Sequence, residues 1–218
     1  AGAISSDGDH VKFDPYICEG CGDCASVCPT GAASYQMPTV DSILVRQRTL
    51  LNKYITVGGK DPVLFIHDPE YGEEMIVTLA RYGQGLPARV IPFSLNSTSS
   101  FGLESALAAI AYGAAQVQIL VGQKPYEELA SCRDMVSLAN HMLSSLGYGE
   151  NRIEILDNPD PEAISASLYG LPKLSKLTPA SFLSDGDKRS IVYMALSHLN
   201  KHAPTSQEQI ELPYGAPF

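Results

Sequence analysis

The N-terminal part of this chain is organised by the stretch Cys18-Glu-Gly-Cys21-Gly-Asp-Cys24-Ala-Ser-Val-Cys28-Pro29. It contains four of the five cysteines of the chain, spaced as C-x2-C-x2-C-x3-C-P. Such a spacing wraps three thiolates around one cubic iron–sulfur cluster, whereas the fourth thiolate, followed by proline, points towards a neighbouring cluster. We therefore predict that Cys18, Cys21, Cys24 and Cys28 are ligands of [4Fe-4S] clusters.

This cysteine run is the signature of bacterial-type ferredoxins, and the chain resembles proteins that contain a two-cluster 4Fe-4S ferredoxin domain. Gly20 and Gly22 agree with this interpretation, because a loop folded tightly around a cluster needs residues without a Cβ and backbone N–H groups that point at sulfur. The alternative is a structural zinc site, but zinc motifs usually contain paired C-x2-C units separated by a longer spacer. An iron–sulfur site is therefore the stronger prediction.

The sequence contains one such run, although the fourth cysteine of a run normally binds the cluster of a partner run. Residues 1–4 resemble the residues that follow the present run, and in two-cluster ferredoxins such a segment leads through a short hairpin into the second run. We therefore expect an internal fragment of a multi-cluster iron–sulfur protein whose first cysteine quartet lies upstream. Cys18, Cys21 and Cys24 would then share a cluster with an upstream ligand, and Cys28 would serve the other. If that quartet was removed, the [4Fe-4S] cluster of this fragment would be incomplete or absent.

Composition narrows the class of protein. With 218 residues, of which 44% are hydrophobic, the chain can fold into a small module and a full domain with its own core. No apolar run approaches the roughly 18 residues of a membrane span, and the formal net charge of -9 argues against nucleic-acid binding. Reduced thiols fit a reducing compartment. We expect a cytoplasmic protein that binds neither a membrane nor nucleic acid.

The pattern of hydrophobic residues divides the chain into four segments. They are a ferredoxin-type 4Fe-4S half-module at 1–38, a linker helix at 39–59, an α/β domain at 60–170, and a C-terminal helix with an extended tail at 171–218. Within the first segment we predict a hairpin that turns at residues 7–9 and a return strand at 33–36. The predicted fold class is an α+β ferredoxin remnant followed by α/β.

In the α/β domain, short apolar runs alternate with helical patterns. Predicted strands lie at 62–67, 88–93, 116–122 and 152–156, the last at an edge, and predicted helices at 68–81, 99–113, 126–146 and from Asp160, with a further helix at 188–201. Two helix starts share the pattern of an aspartate cap, a proline and a glutamate, at 68–70 and 160–162. Alternating units imply a parallel sheet with helices on both faces. We predict a flavodoxin-like sheet of about four strands in the order 2-1-3-4.

Residues 61–157 weakly resemble the domain of the delta (iron–sulfur) subunit of the hydrogenase that feeds heterodisulfide reductase. The matching pieces are at 89–94, 104–114, 117–122, 146–147 and 152–153. Members of that family place cysteines after three of the strands, and those cysteines bind a [2Fe-2S] cluster. Here the corresponding places are residues 67–68, 93–94 and 123–126, which contain no cysteine, so the resemblance implies no second cluster type in this chain. For the fifth cysteine, Cys132, we predict a structural role in the core.

These features favour an electron-transfer protein, or a subunit of one, that passes single electrons through [4Fe-4S] clusters to a redox enzyme or to other modules of its own parent chain. We predict no catalytic residue. A first alternative is a flavin-binding oxidoreductase with FMN at the hydroxyl-rich loop from Ser94 to Ser100, because such loops ahead of a helix can bind phosphate. Ordinary turn and cap chemistry would explain the same residues. A second alternative keeps the cluster as a purely structural element.

Overall fold

The computed structural model describes residues 2–122, 129–174, 176–183 and 186–213. The strands in those ranges are β1 (Ile4–Asp7), β2 (His10–Phe13), β3 (Val63–His67), β4 (Val90–Ser94), β5 (Gln116–Leu120) and β6 (Ile153–Leu156). The α-helices are α1 (Asp23–Val27), α2 (Val40–Thr56), α3 (Tyr71–Tyr82), α4 (Leu103–Ala111), α5 (Ala130–Ser145), α6 (Pro161–Gly170) and α7 (Lys188–Lys201). No helix within these ranges is both long and apolar enough to cross a bilayer.

The N-terminal segment begins with the predicted hairpin. Strands β1 and β2 pair antiparallel, with Ile4 opposite Phe13, and the turn contains Gly8 at a φ of 63°, where glycine is favoured. The return strand predicted at 33–36 is wrong, because no strand forms there. The polar groups of this segment bond to the cysteine loop instead: Ala33 N donates to the Cys28 sulfur and the Tyr35 hydroxyl donates to the Gly20 carbonyl.

The larger domain contains the predicted four-stranded parallel sheet. Its order is β4-β3-β5-β6, which is 2-1-3-4 when the strands are counted within this sheet, and β6 lies at an edge as expected. All five residues of β3 and of β5 are buried, because these central strands are covered on both faces. A likeness to flavodoxins stays a prediction.

Helices cover both faces of the sheet, as predicted. Leu64 and Ile66 of β3 point into a core shared with α2, α4, α5 and α7, whereas Val63 and Phe65 point into a second core with α3 and α6. This division follows from the two-residue period of a strand. Helix α4 lies at the centre of the first core, and all nine of its residues are buried.

Two helix starts differ from the sequence prediction. Helix α3 begins at Tyr71 and not directly after Asp68, although the Asp68 carboxylate accepts from Glu70 N and Gly72 N at 3.0 Å and so still satisfies the first turn. The helix predicted at 99–113 is divided into a 3-10 turn, Thr98–Ser100, and α4, because Gly102 between them is extended. Asp160 caps α6 as predicted, with Pro161 in the first turn.

The helix predicted as a linker at 39–59 corresponds to α2 and shares the core of the larger domain. Its N-terminus is capped by Thr39, whose hydroxyl accepts from Ser42 N at 3.3 Å. Ile43, Leu44 and Leu51 are buried on the side that packs against α4. Helix α2 therefore anchors the N-terminal segment to the domain.

Leu44 tests this role of α2. It is 1% exposed, so Leu44→Ala should lower the free energy of unfolding by about 2–5 kcal/mol through lost contacts and the cavity left behind. The control is Val45→Ala on the same helix, 46% exposed, which should change it by no more than about 0.5 kcal/mol. Urea unfolding followed by circular dichroism measures both, and equal small losses would show that α2 lies outside the core.

Candidate metal centre

The cysteine loop follows directly from β2. Residues Asp14 to Cys18 form a turn in which Cys18 N donates to the Asp14 carbonyl at 3.0 Å, and the chain then runs through Gly20 and Gly22 into α1. Cys18 and Cys21 are exposed, while Cys24 and Cys28 are partly buried. Two thiols of the loop are therefore open to solvent and two are partly covered.

Both glycines of this loop are in the left-handed region, with φ of 68° for Gly20 and 77° for Gly22. A Cβ on Gly22 would lie 2.6 Å from the Cβ of Ser100 and 3.3 Å from the ring of Tyr35. The Tyr35 hydroxyl also donates to the Gly20 carbonyl at 2.6 Å. The loop is thus shaped by backbone that only glycine adopts easily and by close contact with the larger domain.

Cys18, Cys21 and Cys24 lie within electrostatic reach of one another. Burial raises the pKa of the Cys24 thiol, and negative charge on Cys21, Asp23 and Cys18 raises it further. A thiolate that burial and neighbouring negative charge disfavour is stabilised when positive iron binds it. The donor set therefore fits an iron–sulfur cluster, whose ligands are cysteine thiolates.

Cys28 has a different environment. Burial opposes ionisation of its thiol, but hydrogen bonds to the sulfur outweigh this effect and lower the pKa to about 7. Ala33 N donates to the sulfur at 3.4 Å, and the Thr30 hydroxyl lies 3.6 Å from it. The backbone of Thr30 and Gly31 also lowers the pKa. The groups that raise the pKa of Cys24 do not include Cys28. The division of the four cysteines between two clusters stays a prediction.

Side-chain positions in residues 2–122, 129–174, 176–183 and 186–213 give no group of three His, Cys, Asp or Glu residues that could hold a single metal ion. A [4Fe-4S] cluster makes a different demand, since each of its cysteines binds a separate iron atom at a corner of the cube.

Three polar contacts hold the cysteine segment on the larger domain. The Ser131 hydroxyl of α5 donates to the Asp23 carboxylate at 2.5 Å, Lys188 Nζ of α7 donates to the Ala25 carbonyl, and Asn96 Nδ2 donates to the Met37 carbonyl at 3.0 Å. These residues lie 59 to 163 positions apart in the chain. Sequence reasoning missed them, because neither motif nor periodicity relates residues at such separations.

A cavity of about 540 Å³ lies between the cysteine segment and the larger domain. Its lining includes Cys28 of the cysteine segment and Cys132 of α5, together with Ser131, Glu104 and Lys188. The predicted structural role of Cys132 is consistent with its position, because this partly buried residue packs against the main core.

The loop from Ser94 to Ser100, the candidate flavin site, uses its hydroxyl groups locally. The Ser97 hydroxyl accepts from Ser99 N at 3.3 Å, and the Ser100 hydroxyl donates to the Ser97 carbonyl at 2.7 Å. Ser100 also contacts the cysteine loop where Gly22 approaches it. Turn chemistry accounts for these contacts, and FMN binding stays a prediction.

Of the three places that correspond to the cysteines of the delta-subunit family, residues 123–126 lie outside the described residues.

Comparison with known proteins identifies one part of the chain. A family model described as a 4Fe-4S binding domain matches residues 10–33, which include β2, the cysteine loop and α1. No curated protein and no solved structure matches the chain. The resemblance of residues 61–157 to the hydrogenase delta subunit and the origin from a multi-cluster protein stay predictions. The chain thus carries a ferredoxin-type 4Fe-4S binding domain ahead of its α/β domain.

Gly22 tests the contact between the loop and the larger domain. Gly22→Ala should lower the free energy of unfolding by about 1–2 kcal/mol through its positive φ and by about a further 1–3 kcal/mol through the clash with Ser100. Gly31→Ala is a matched control, since its φ is 75° but an added Cβ meets nothing within 4 Å. Urea unfolding compares the two, and equal losses would rule out the close contact.

Cys28 provides a pH test in the metal-free protein. Because its pKa is lowered to about 7, the rate of alkylation by iodoacetamide should rise with pH and reach half its maximum near pH 7. Thr30→Val removes one donor and should move the midpoint upwards, towards the ordinary value of 9.0. Mass spectrometry of the Cys28 peptide gives the rate, and a midpoint near 9 in the unaltered protein would contradict the described hydrogen bonds.

Proposed function

We propose that this chain transfers single electrons through a [4Fe-4S] cluster bound by its cysteine loop, and passes them to a redox enzyme or to other modules of a parent chain. The observation that carries the proposal is the grouping of Cys18, Cys21 and Cys24 on one glycine-shaped loop, in the stretch matched by the 4Fe-4S binding domain. A bound cluster of this kind accepts and releases one electron at a time.

We assign Cys18, Cys21 and Cys24 to the same cluster and Cys28 to a separate role as ligand of a neighbouring one. Two facts support this division. Negative charge on Cys21 and Cys18 raises the pKa of the Cys24 thiol, and Cys28 lies among its own N–H and hydroxyl donors. Such donors stabilise sulfur that carries negative charge, whether as free thiolate or as ligand to iron. The neighbouring cluster would need ligands from outside this sequence.

The surface around the loop supports docking of a redox partner. Tyr16 is 97% and Met37 78% exposed, and both lie close in sequence to the cysteine run. Large apolar side chains left in water are typical of surfaces that another protein covers. Residues 2–37 also contain five acidic residues and a single lysine. The partner that fits this surface presents basic residues around an apolar centre, since opposite charges accelerate encounter.

The exposure of Cys18 and Cys21 supports a cluster with one side at this surface. Electrons would therefore enter or leave on the solvent side, whereas the side of Cys24 and α1 is fixed against the larger domain. In this arrangement the α/β domain supplies a rigid base and determines which side of the cluster faces a partner.

Substitution of single cysteines tests the ligand assignment. The protein is reconstituted anaerobically with iron, sulfide and a small thiol that supplies the fourth ligand. Cys18→Ser, Cys21→Ser and Cys24→Ser should then each lose most of the bound iron and labile sulfide, because a serine oxygen is a harder and weaker ligand for these clusters. Cys132→Ser is the matched control and should keep both. Cys28→Ser should also keep the cluster of the other three cysteines.

The outcomes separate two parts of the proposal. Full cluster content in Cys21→Ser and Cys24→Ser would overturn the cluster site itself. Loss of cluster in Cys28→Ser equal to that in Cys24→Ser would overturn only the division, and would show that all four cysteines hold one cluster. Flavin absorbance in the purified protein would support the FMN alternative at the Ser94 to Ser100 loop.

A further inference from the structure

A buried ion pair lies where the cysteine segment meets the larger domain. Lys188 is the first residue of α7 and Glu104 belongs to the first turn of α4, and they are only 9% and 3% exposed. Lys188 Nζ lies 3.5 Å from Glu104 Oε1 and also donates to the Ala25 carbonyl of α1. One ammonium group thus connects both helices of the domain to the segment that carries the cysteines.

The packing of α4 on α7 does not require this pair. Beyond Lys188, α7 contributes Ile191, Val192, Ala195 and Leu199 to the main core, and α4 contributes mostly alanine and leucine. Burial of two charges has a high desolvation cost, which an ion pair often fails to offset compared with apolar residues of similar size. That cost is visible at Glu104, where burial raises the pKa of the carboxyl. A role in stability alone therefore explains the pair poorly.

The position of the pair relative to the cysteines suggests another role. Ala25, whose carbonyl accepts the bond from Lys188, follows Cys24 directly in the chain. Lys188 and Glu104 also line the same cavity as Cys28. A charge in such a site acts through poorly polarisable protein and is screened little by salt, so it influences other nearby charges strongly.

We propose that the positive charge of Lys188 raises the reduction potential of the cluster on the cysteine loop. This inference rests on the proposed electron-transfer function. Reduction adds one electron from an external low-potential donor to the cluster, breaks no bond and makes the site more negative by one charge. The Lys188 ammonium stabilises that added charge, and the Glu104 carboxylate opposes it. The bond to Ala25 holds the ammonium on the side of the loop that faces the domain.

The test compares midpoint potentials of reconstituted variants in anaerobic redox titrations at pH 8 followed by EPR, with iron and labile sulfide measured on every sample. Lys188→Met should shift the potential to more negative values, and Lys188→Arg should restore it towards that of the unaltered protein. Glu104→Gln should shift it in the opposite direction, to more positive values. Lys201→Met is the control, because Lys201 is exposed at the far end of the same helix.

A purely structural role would lower thermal stability in both Lys188→Met and Glu104→Gln without shifts of opposite sign. An unchanged potential in Lys188→Met at full cluster content, or a negative shift in both variants, would overturn the inference. If Lys188→Met fails to hold a cluster, Glu104→Gln decides, since a positive shift supports the inference and any other result overturns it. Failure of the unaltered protein to bind iron and sulfide would instead overturn the proposed function, and this inference with it.

Discussion

The cysteine segment cannot fold around a core of its own, so its shape depends on how the larger domain holds it. Among residues 2–38 only Ala25 and Ala33 are buried. A segment of this size buries too little apolar surface to offset its loss of conformational freedom. Two other sources of stability are available: contact with a preformed domain, and binding of metal by thiolates, which supplies folding free energy directly. The structure shows the first, and the cysteine spacing indicates the second.

Contact with the domain is concentrated on α1. Ser131, Lys188 and Ser100 come from three separate elements, and each touches the short stretch from Gly22 to Ala25. This stretch contains Cys24. The domain therefore fixes one side of the loop while the side of Cys18 and Cys21 stays open to solvent. For an electron carrier this is a useful division, because a rigid site limits reorganisation while an exposed edge permits transfer to a partner.

The sequence was sufficient to predict the features that depend on local patterns. The four-stranded parallel sheet followed from apolar runs such as residues 63–66, and the bounds predicted for α7 agree with the structure because its apolar period and Asp187 cap are both strong signals. The cysteine run predicts a 4Fe-4S binding domain, and the family match to residues 10–33 supports this prediction. These predictions rest on interactions between residues a few positions apart.

Features that depend on contacts between distant segments could not be predicted. Arg152 reads as the start of an edge strand, yet it is fully buried and donates to the carbonyls of Tyr148 and Ala115, both at 2.9 Å. Lys188 reads as an ordinary charged residue at a helix start, but it reaches Ala25 across 163 positions. The predicted return strand failed for the same reason, because Ala33 donates to a cysteine sulfur and not to a strand.

The most direct test of the central claim is low-temperature EPR of the anaerobically reconstituted protein, recorded before and after reduction with dithionite and again after reoxidation. The proposed function predicts a signal of a reduced [4Fe-4S] cluster that accounts for most of the bound iron and disappears on reoxidation. If a cluster assembles but takes up no electron, its role is structural and the proposed electron transfer is wrong. Reconstituted protein without bound iron and sulfide would contradict the assignment of the cysteine loop.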